Sequence, residues 1–297
     1  MGRSQLLDGS QIPSAAPVLG RDNVLLRASA RRHFVQDFPG PLSIKSVIRG
    51  KAAWRHDSRW LPIEQQSFLI LPDGAPYSLD IDARQPVHTC CAFFAKGFVE
   101  SVYRDITNTD LDGSGPVRLE FLAQLHPRDE RLLRRMQQIG RIADDPPPLW
   151  TEQQFLLLAR DLLALYREVN DRIARLPARK QSTREEIYRR VSRGRDFIHA
   201  HAFRSVKLAE LARASFLSPY HFHRAFTSIF GVSPHEYLTR LRIDKAAELL
   251  KLRSDLTVTA VAGEVGFESP ASFTNLFRKR LGTTPLAFRT RRNSRTP

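Results

Sequence analysis

The chain is poor in the residues that mark redox, metal and membrane proteins. It carries two cysteines in 297 residues, and they are neighbours, Cys90 and Cys91. Adjacent residues on a strand point to opposite faces, so these two are poorly placed to bridge each other, and a disulfide framework is excluded. A buried structural thiol is the expected role of at least one. No run of about 18 apolar residues occurs and the N-terminus lacks an apolar signal core, which argues against membrane insertion and secretion and points to the cytoplasm. Nucleophile motifs, phosphate-binding glycine loops and dinucleotide fingerprints are all missing. The reading is of a non-enzyme, with no catalytic residue, no cofactor and no metal.

Acidic residues are outnumbered: 46 Lys and Arg face 31 Asp and Glu, for a net charge of +15. The excess is uneven. Residues 184–297 hold 21 basic and 10 acidic side chains, a net +11, which leaves +4 for the first 183 residues. A strongly basic C-terminal third suits a polyanionic partner.

The same third repeats itself. Phe222, Phe226, Gly231, Pro234 and Tyr237 recur 51 positions later as Phe273, Phe277, Gly282, Pro285 and Phe288, and upstream Leu208, Leu211 and Ala212 match Val258, Val261 and Ala262 at a spacing of 50. In each copy the i, i+3, i+4 stripe marks a short amphipathic helix, and the aromatic stripe marks a second. Ser218-Pro219 and Ser269-Pro270 open the second helices, serine as N-cap and proline at the first helical position. A supporting helix, a tight turn and a capped second helix make a helix-turn-helix, whose second helix enters the major groove of DNA. Between the copies Tyr237, Leu238, Leu241, Ile243, Ala246, Leu249 and Leu250 predict a long helix that holds two reading heads at a fixed separation.

The stretches "LARASFLSPYHFHRAFTSIFGVSPHEYL" and "VAGEVGFESPASFTNLFRKRLGTTPLAFR" resemble, in order and spacing, the paired DNA-binding domain of AraC/XylS-type transcription regulators. One departure is visible: Phe216 stands where many relatives have a turn glycine, which the second copy keeps as Gly266. A phenylalanine at positive φ is strained, so a turn of different shape is expected there. Farther upstream, short β-like runs at residues 42–48, 67–71 and 87–94 alternate with turn residues. Their order resembles the N-terminal cupin-like β-barrel with which many regulators of this family sense small molecules. Two amphipathic helices follow, one carrying Leu132, Leu133, Met136 and Ile139 and one over residues 155–169, separated by "DDPPP" at 144–148. They predict an antiparallel hairpin, and the resemblance implies that it can pair two chains.

The expected fold class is therefore α+β: an N-terminal cupin-like β-barrel with a helical hairpin, then an all-α C-terminal domain of two helix-turn-helix motifs. The expected limits are a loose arm over 1–30, a sensing domain over 31–125, the hairpin over 126–175, a polar linker over 176–184, a DNA-binding domain over 185–292 with motifs at about 206–230 and 257–281, and a tail over 293–297.

Burial of Phe222, Phe226 and Ile229 leaves Tyr220, His223, Arg224 and Thr227 to read bases in the first head, and the resemblance places family contacts on Tyr220, His223 and Arg224. Arg224 has the most discriminating chemistry, since a guanidinium can donate two hydrogen bonds to guanine O6 and N7. In the second head Ala271, Ser272, Thr274 and Asn275 are the base-reading candidates. Asn275 stands where relatives often carry arginine, and asparagine pairs best with adenine. Ser218, Ser269 and Arg278 are backbone candidates, the serines through the amides of the helix N-termini they cap. The effector pocket is assigned to Ile44, Ser46, Ile48, Trp54, Phe68, Ile70, Tyr77 and Phe93, with Lys45 or Arg49 available to an anionic effector.

The function expected is sequence-specific DNA binding by a transcription regulator under small-molecule control. Its partners would be double-stranded DNA, an effector, RNA polymerase if it activates, and a second copy of the chain. Two rivals are a cupin-type metalloenzyme fused to a DNA-binding domain and an architectural binder without sequence preference. Against the first, His33, His56 and His88 are dispersed, and Tyr77 occupies the place of a ligand histidine in "PGxPH"-like patterns.

Overall fold

A computed structural model describes residues 3–8, 18–57, 59–107, 117–141 and 147–293. The fold is α+β and divides into two compact units, Met1–Asp171 and Arg172–Pro297. Among the described residues no helix is long and apolar enough to cross a membrane.

The first unit is built on one eight-stranded sheet: β1 (Ser4–Asp8), β2 (Asn23–Pro39), β3 (Ser43–Arg49), β4 (Ala52–His56), β5 (Arg59–Ile63), β6 (Ser67–Leu71), β7 (Pro76–Phe93) and β8 (Gln124–Pro127). The order is β1-β2-β7-β3-β6-β8, with the β4–β5 hairpin pairing onto β7. The path from β1 to β8 does not close on itself. The long strands β2 and β7 run antiparallel, with register shifts between Ala30 and Arg32 and between Val35 and Phe38. Bulges of this kind bend a strand and sharpen its twist. The sequence reading of residues 1–30 as a loose arm needs correction: β1 pairs in parallel with the start of β2, Ser4 opposite Asn23 through Asp8 opposite Arg27. A parallel partner lies far away along the chain, so local patterning does not reveal it. Residues 1–2 and 9–17 of that stretch lie outside the described residues.

Alternation across β3 and β7 creates two buried faces. Ile44, Phe68, Ile70, Cys90 and Ala92 join one core, closed by α1 (Phe98–Thr107), α2 (Glu130–Arg141) and α3 (Pro148–Ala174). Val47, Leu69, Leu71, Cys91 and Phe93 turn to the other face, with Trp54, Tyr77 and Ile81. The adjacent thiols thus belong to different cores, and both are free. Helices α2 and α3 run antiparallel, since Arg135 meets Asp161 at 2.5 Å and Arg131 meets Glu168 at 3.2 Å. Residues 144–146 of the "DDPPP" segment fall outside the described residues.

The second unit is helical: α4 (Gln181–His201), α5 (Leu208–Ala214), α6 (Pro219–Phe230), α7 (Pro234–Leu252), α8 (Val258–Glu264), α9 (Pro270–Leu281) and α10 (Pro285–Asn293). Each half closes on the same three rings. Phe222 and Phe226 lie 5.4 Å apart with Tyr237 edge-on at 5.5 Å; Phe273 and Phe277 lie 5.5 Å apart with Phe288 edge-on at 5.5 Å. The core of the second half is completed by Ile243, Ala246 and Leu250 from α7.

Candidate functional site

The turns that aim α6 and α9 are superimposable in their hydrogen bonding. Phe216 N–H donates to Arg213 O and Leu217 N–H to Ala212 O; Gly266 N–H donates to Gly263 O and Phe267 N–H to Ala262 O. Phe216 has φ +52° and Gly266 has φ +84°. The expectation of a differently shaped first turn is therefore overturned. The ring of Phe216 is 69% exposed, so its side chain meets no wall when the backbone goes left-handed. The one-residue slip between the repeats falls at Glu268, which stands between Phe267 and the N-cap Ser269 where the first copy passes straight from Leu217 to Ser218.

Ser218 Oγ accepts from His221 N–H at 3.3 Å, and Ser269 Oγ accepts from Ser272 N–H at 3.3 Å. Gly231 and Gly282, both at φ +72°, end the helices by donating to Thr227 O and Arg278 O. Both helices thus start at exposed, capped N-termini, where the helix dipole favours phosphate.

On α6 the side chains of Phe222, Phe226 and Ile229 are buried, and Tyr220, His223 and Arg224 are exposed on the other face with Thr227 half-buried beside them. Arg224 Nη1 donates to Tyr220 Oη at 3.1 Å, and its guanidinium lies 5.5 Å from the Tyr220 ring centroid. This contact orients the fork along the exposed face before any ligand arrives. The Thr227 hydroxyl donates to His223 O, as that of Thr274 does to Pro270 O. On α9 Ala271, Ser272, Asn275 and Arg278 are exposed, opposite buried Phe273 and Phe277.

The two faces are held by side chains that the sequence did not single out. Arg280 grips Asp244 of α7 through two bonds of 2.9 and 2.7 Å. Arg242 of α7 donates to the carbonyls of Ala202 and Arg204, each at 2.7 Å. Gly194 of α4 lets Phe222 approach so closely that a Cβ there would lie 2.4 Å from its ring. A glycine amid an otherwise helical run was the available signal. His199 lies 3.0 Å from the Tyr237 hydroxyl, and burial, aided by the charge of Arg195, pulls its pKa down to about 3.

A cavity of about 320 Å³ opens on the second face of the sheet. Of the side chains assigned to a pocket, Trp54, Tyr77 and Phe93 line it, and so does Lys45. Ile44, Phe68 and Ile70 do not; they belong to the core beneath the helices. Ser46 and Ile48 line a smaller space of about 150 Å³ with Met136 and Gln137. The cause is parity: even-numbered positions of β3 face the helices, and Lys45, one residue away, faces the cavity. His33 also lines the cavity, while His56 Nδ1 lies 3.0 Å from Pro76 O. Among the described residues no group of three or more His, Cys, Asp or Glu is placed to hold a metal ion.

Two helix-turn-helix motifs sharing one connecting helix define a DNA-binding domain of transcription-regulator type, and the comparisons agree. Residues 211–291 match the family profile described as a helix-turn-helix domain. The probable transcriptional regulator LumQ of Photobacterium leiognathi is 33% identical over 93 residues, 31% of this chain and 37% of LumQ. The probable transcription factor PqrA of Proteus vulgaris is 34% identical over 84 residues, 28% of this chain and 68% of PqrA. The virulence regulon transcriptional activator VirF of Yersinia enterocolitica is 24% identical over 251 residues, 80% of this chain and 85% of VirF. Matched segments span about a third of the length of the first curated relatives. The chain belongs to the AraC/XylS family of transcription regulators.

Proposed function

We propose that the chain is a sequence-specific transcription regulator that reads two successive major-groove segments of double-stranded DNA. The observation that carries this reading is the duplicated face: two capped helices, each with a polar exposed side, joined through α7. That helix has 19 residues and packs against helices of both halves, so the two heads are tied to one rigid element, and major-groove segments on one side of B-DNA recur about every 34–36 Å. Tyr220, His223, Arg224 and Thr227 read bases in the first head, and Ala271, Ser272, Thr274 and Asn275 in the second. Ser218, Ser269 and Arg278 hold phosphates. Binding to DNA carrying two half-sites, measured against scrambled DNA at fixed salt, tests the reading; equal affinity for both would refute it.

The sheet unit is read as a cupin-like sensing domain, with the cavity lined by Trp54, Tyr77 and Phe93 as its effector site. The hairpin of α2 and α3 serves to pair two chains. Leu149 and Leu156, one heptad apart on α3 and 78% and 39% exposed, supply an apolar stripe for that purpose. Residues 175–180, between α3 and α4, act as the linker, shorter than the expected 176–184 because α4 already begins at Gln181, and the DNA-binding domain follows through residue 292. As an activator the protein would also engage RNA polymerase, and its place of action is the cytoplasm. The relatives are transcription regulators, and no catalytic chemistry is assigned to the chain.

A further inference from the structure

Lys45 is the feature of the sheet unit that packing alone does not account for. It sits mid-strand on β3, opposite Cys91 of β7 and Leu69 of β6, and is 1% exposed. Its Nζ has no hydrogen-bond partner among the described residues. The amine lies 3.7 Å from the centroid of the Phe93 ring and 4.2 Å from that of Tyr77, and it fronts the cavity. A lysine at the rim of a core normally extends its stem until the ammonium reaches water. Anchored mid-strand under two aromatic faces, this one does not. Cation–π contact returns part of the hydration it gives up, but an ammonium without a hydrogen-bond acceptor remains costly. Burial accordingly lowers its pKa to about 7, against a smaller opposing effect of Cys91.

The other walls are mostly apolar: Trp54, Leu79, Ile81 and Val87 are among them. Among the described residues, the titratable groups facing the same space are His33 from β2 and Tyr77 and Cys91 from β7, and no carboxylate lines it. Burial pushes the Tyr77 phenol and the Cys91 thiol upward, so both stay neutral near pH 7. A sugar would leave most of its hydroxyls without partners on such walls, and a phosphate dianion would bring twice the charge that one amine can meet. We propose that the cavity takes a compact, largely apolar ligand bearing a single carboxylate, which pairs with Lys45 Nζ while its hydrocarbon part packs on Trp54, Ile81 and Val87. The proposal rests on the reading of the sheet unit as a sensing domain and names the ligand class of that site.

Calorimetric titration of the full chain with phenylacetate, hexanoate and octanoate, each beside its neutral primary amide, tests it. The acids should bind roughly tenfold to a hundredfold more tightly than their amides near pH 7, the worth of one charge-assisted hydrogen bond. Because the ligand demands the ammonium form, the advantage should shrink as pH rises above about 7, with proton uptake on binding. Lys45→Met keeps the stem and removes a buried amine, so the variant should fold and bind acid and amide alike. Acids no better than amides, no binding by any acid, or an advantage that survives in Lys45→Met would overturn the proposal. Affinity for DNA in the same samples separates this from the sensing role. Acids that bind through Lys45 without changing DNA affinity uphold the site and sink the sensing reading; amides that change DNA affinity where acids do not uphold sensing and sink the carboxylate.

Discussion

Phe216 and Gly266 hold the same left-handed position in the two helix-turn-helix turns, and only one of them has a free choice of side chain. A Cβ on Gly266 would lie 2.9 Å from Phe203 O and 3.0 Å from Phe203 C, backbone atoms that cannot swing aside. Phe216 points into solvent, with Arg193 5.5 Å from its ring. Left-handed backbone costs a residue with a Cβ about 1–2 kcal/mol, and glycine returns roughly half of that as chain entropy. Phe216→Gly should therefore be neutral or stabilise by up to about 1 kcal/mol, whereas Gly266→Ala should lose about 2 kcal/mol or more. Urea unfolding of both variants checks the pair. A clear loss in Phe216→Gly would show that the ring is an anchor.

Gly194→Ala is expected to be severe although alanine favours helix, because the added methyl collides with buried Phe222 and with Ser215 Oγ, both at 2.4 Å. Overpacking of this kind costs about 1–3 kcal/mol. Since Phe222 belongs to α6, DNA affinity should fall together with the melting temperature. An unchanged melting temperature would mean that α4 and α6 can part without loss.

Arg224→Ala should weaken binding at a preferred DNA site by about 1–3 kcal/mol and relax discrimination at one base position. A panel of single-base variants of that site provides the measurement. Uniform weakening across the panel would make Arg224 a phosphate contact instead.

His199 makes the helical unit sensitive to acid. Its folded pKa of about 3 lies below the ordinary 6.5, so its contribution to stability is complete above about pH 6.5 and is lost progressively as pH falls toward 3. The unfolded chain takes up a proton that the folded one refuses. Between about pH 6.5 and 5, above the ordinary carboxylate range, His199→Gln should show a shallower decline of unfolding free energy than the parent. Parallel declines would place the proton elsewhere.

The helical unit was legible because its punctuation is local. Ser218, Ser269, Gly231, Gly282 and the paired aromatic rings each state a cap, a stop or a core contact within one helix length. The cavity was less legible for a physical reason. Residues 43–47 of β3 are buried on both faces, so the apolar pattern has no period of two and cannot say which parity faces the ligand space. Lys45 carried that information, and Ile44, Ser46 and Ile48, which have the opposite parity, were assigned beside it. The parallel pairing of β1 and the clasp of Arg280 on Asp244 depend on residues far apart in sequence, which no local pattern encodes.

The central claim is that two heads on one rigid frame read DNA in two places. Selection of bound duplexes from a random-sequence pool by the full chain, followed by sequencing, tests it most directly. The account predicts enrichment of two short conserved boxes whose centres lie about 10–10.5 bp apart, one box weakening selectively in Arg224→Ala and the other in Asn275→Ala. A pool that shows no enrichment, or a single box indifferent to both substitutions, would contradict it.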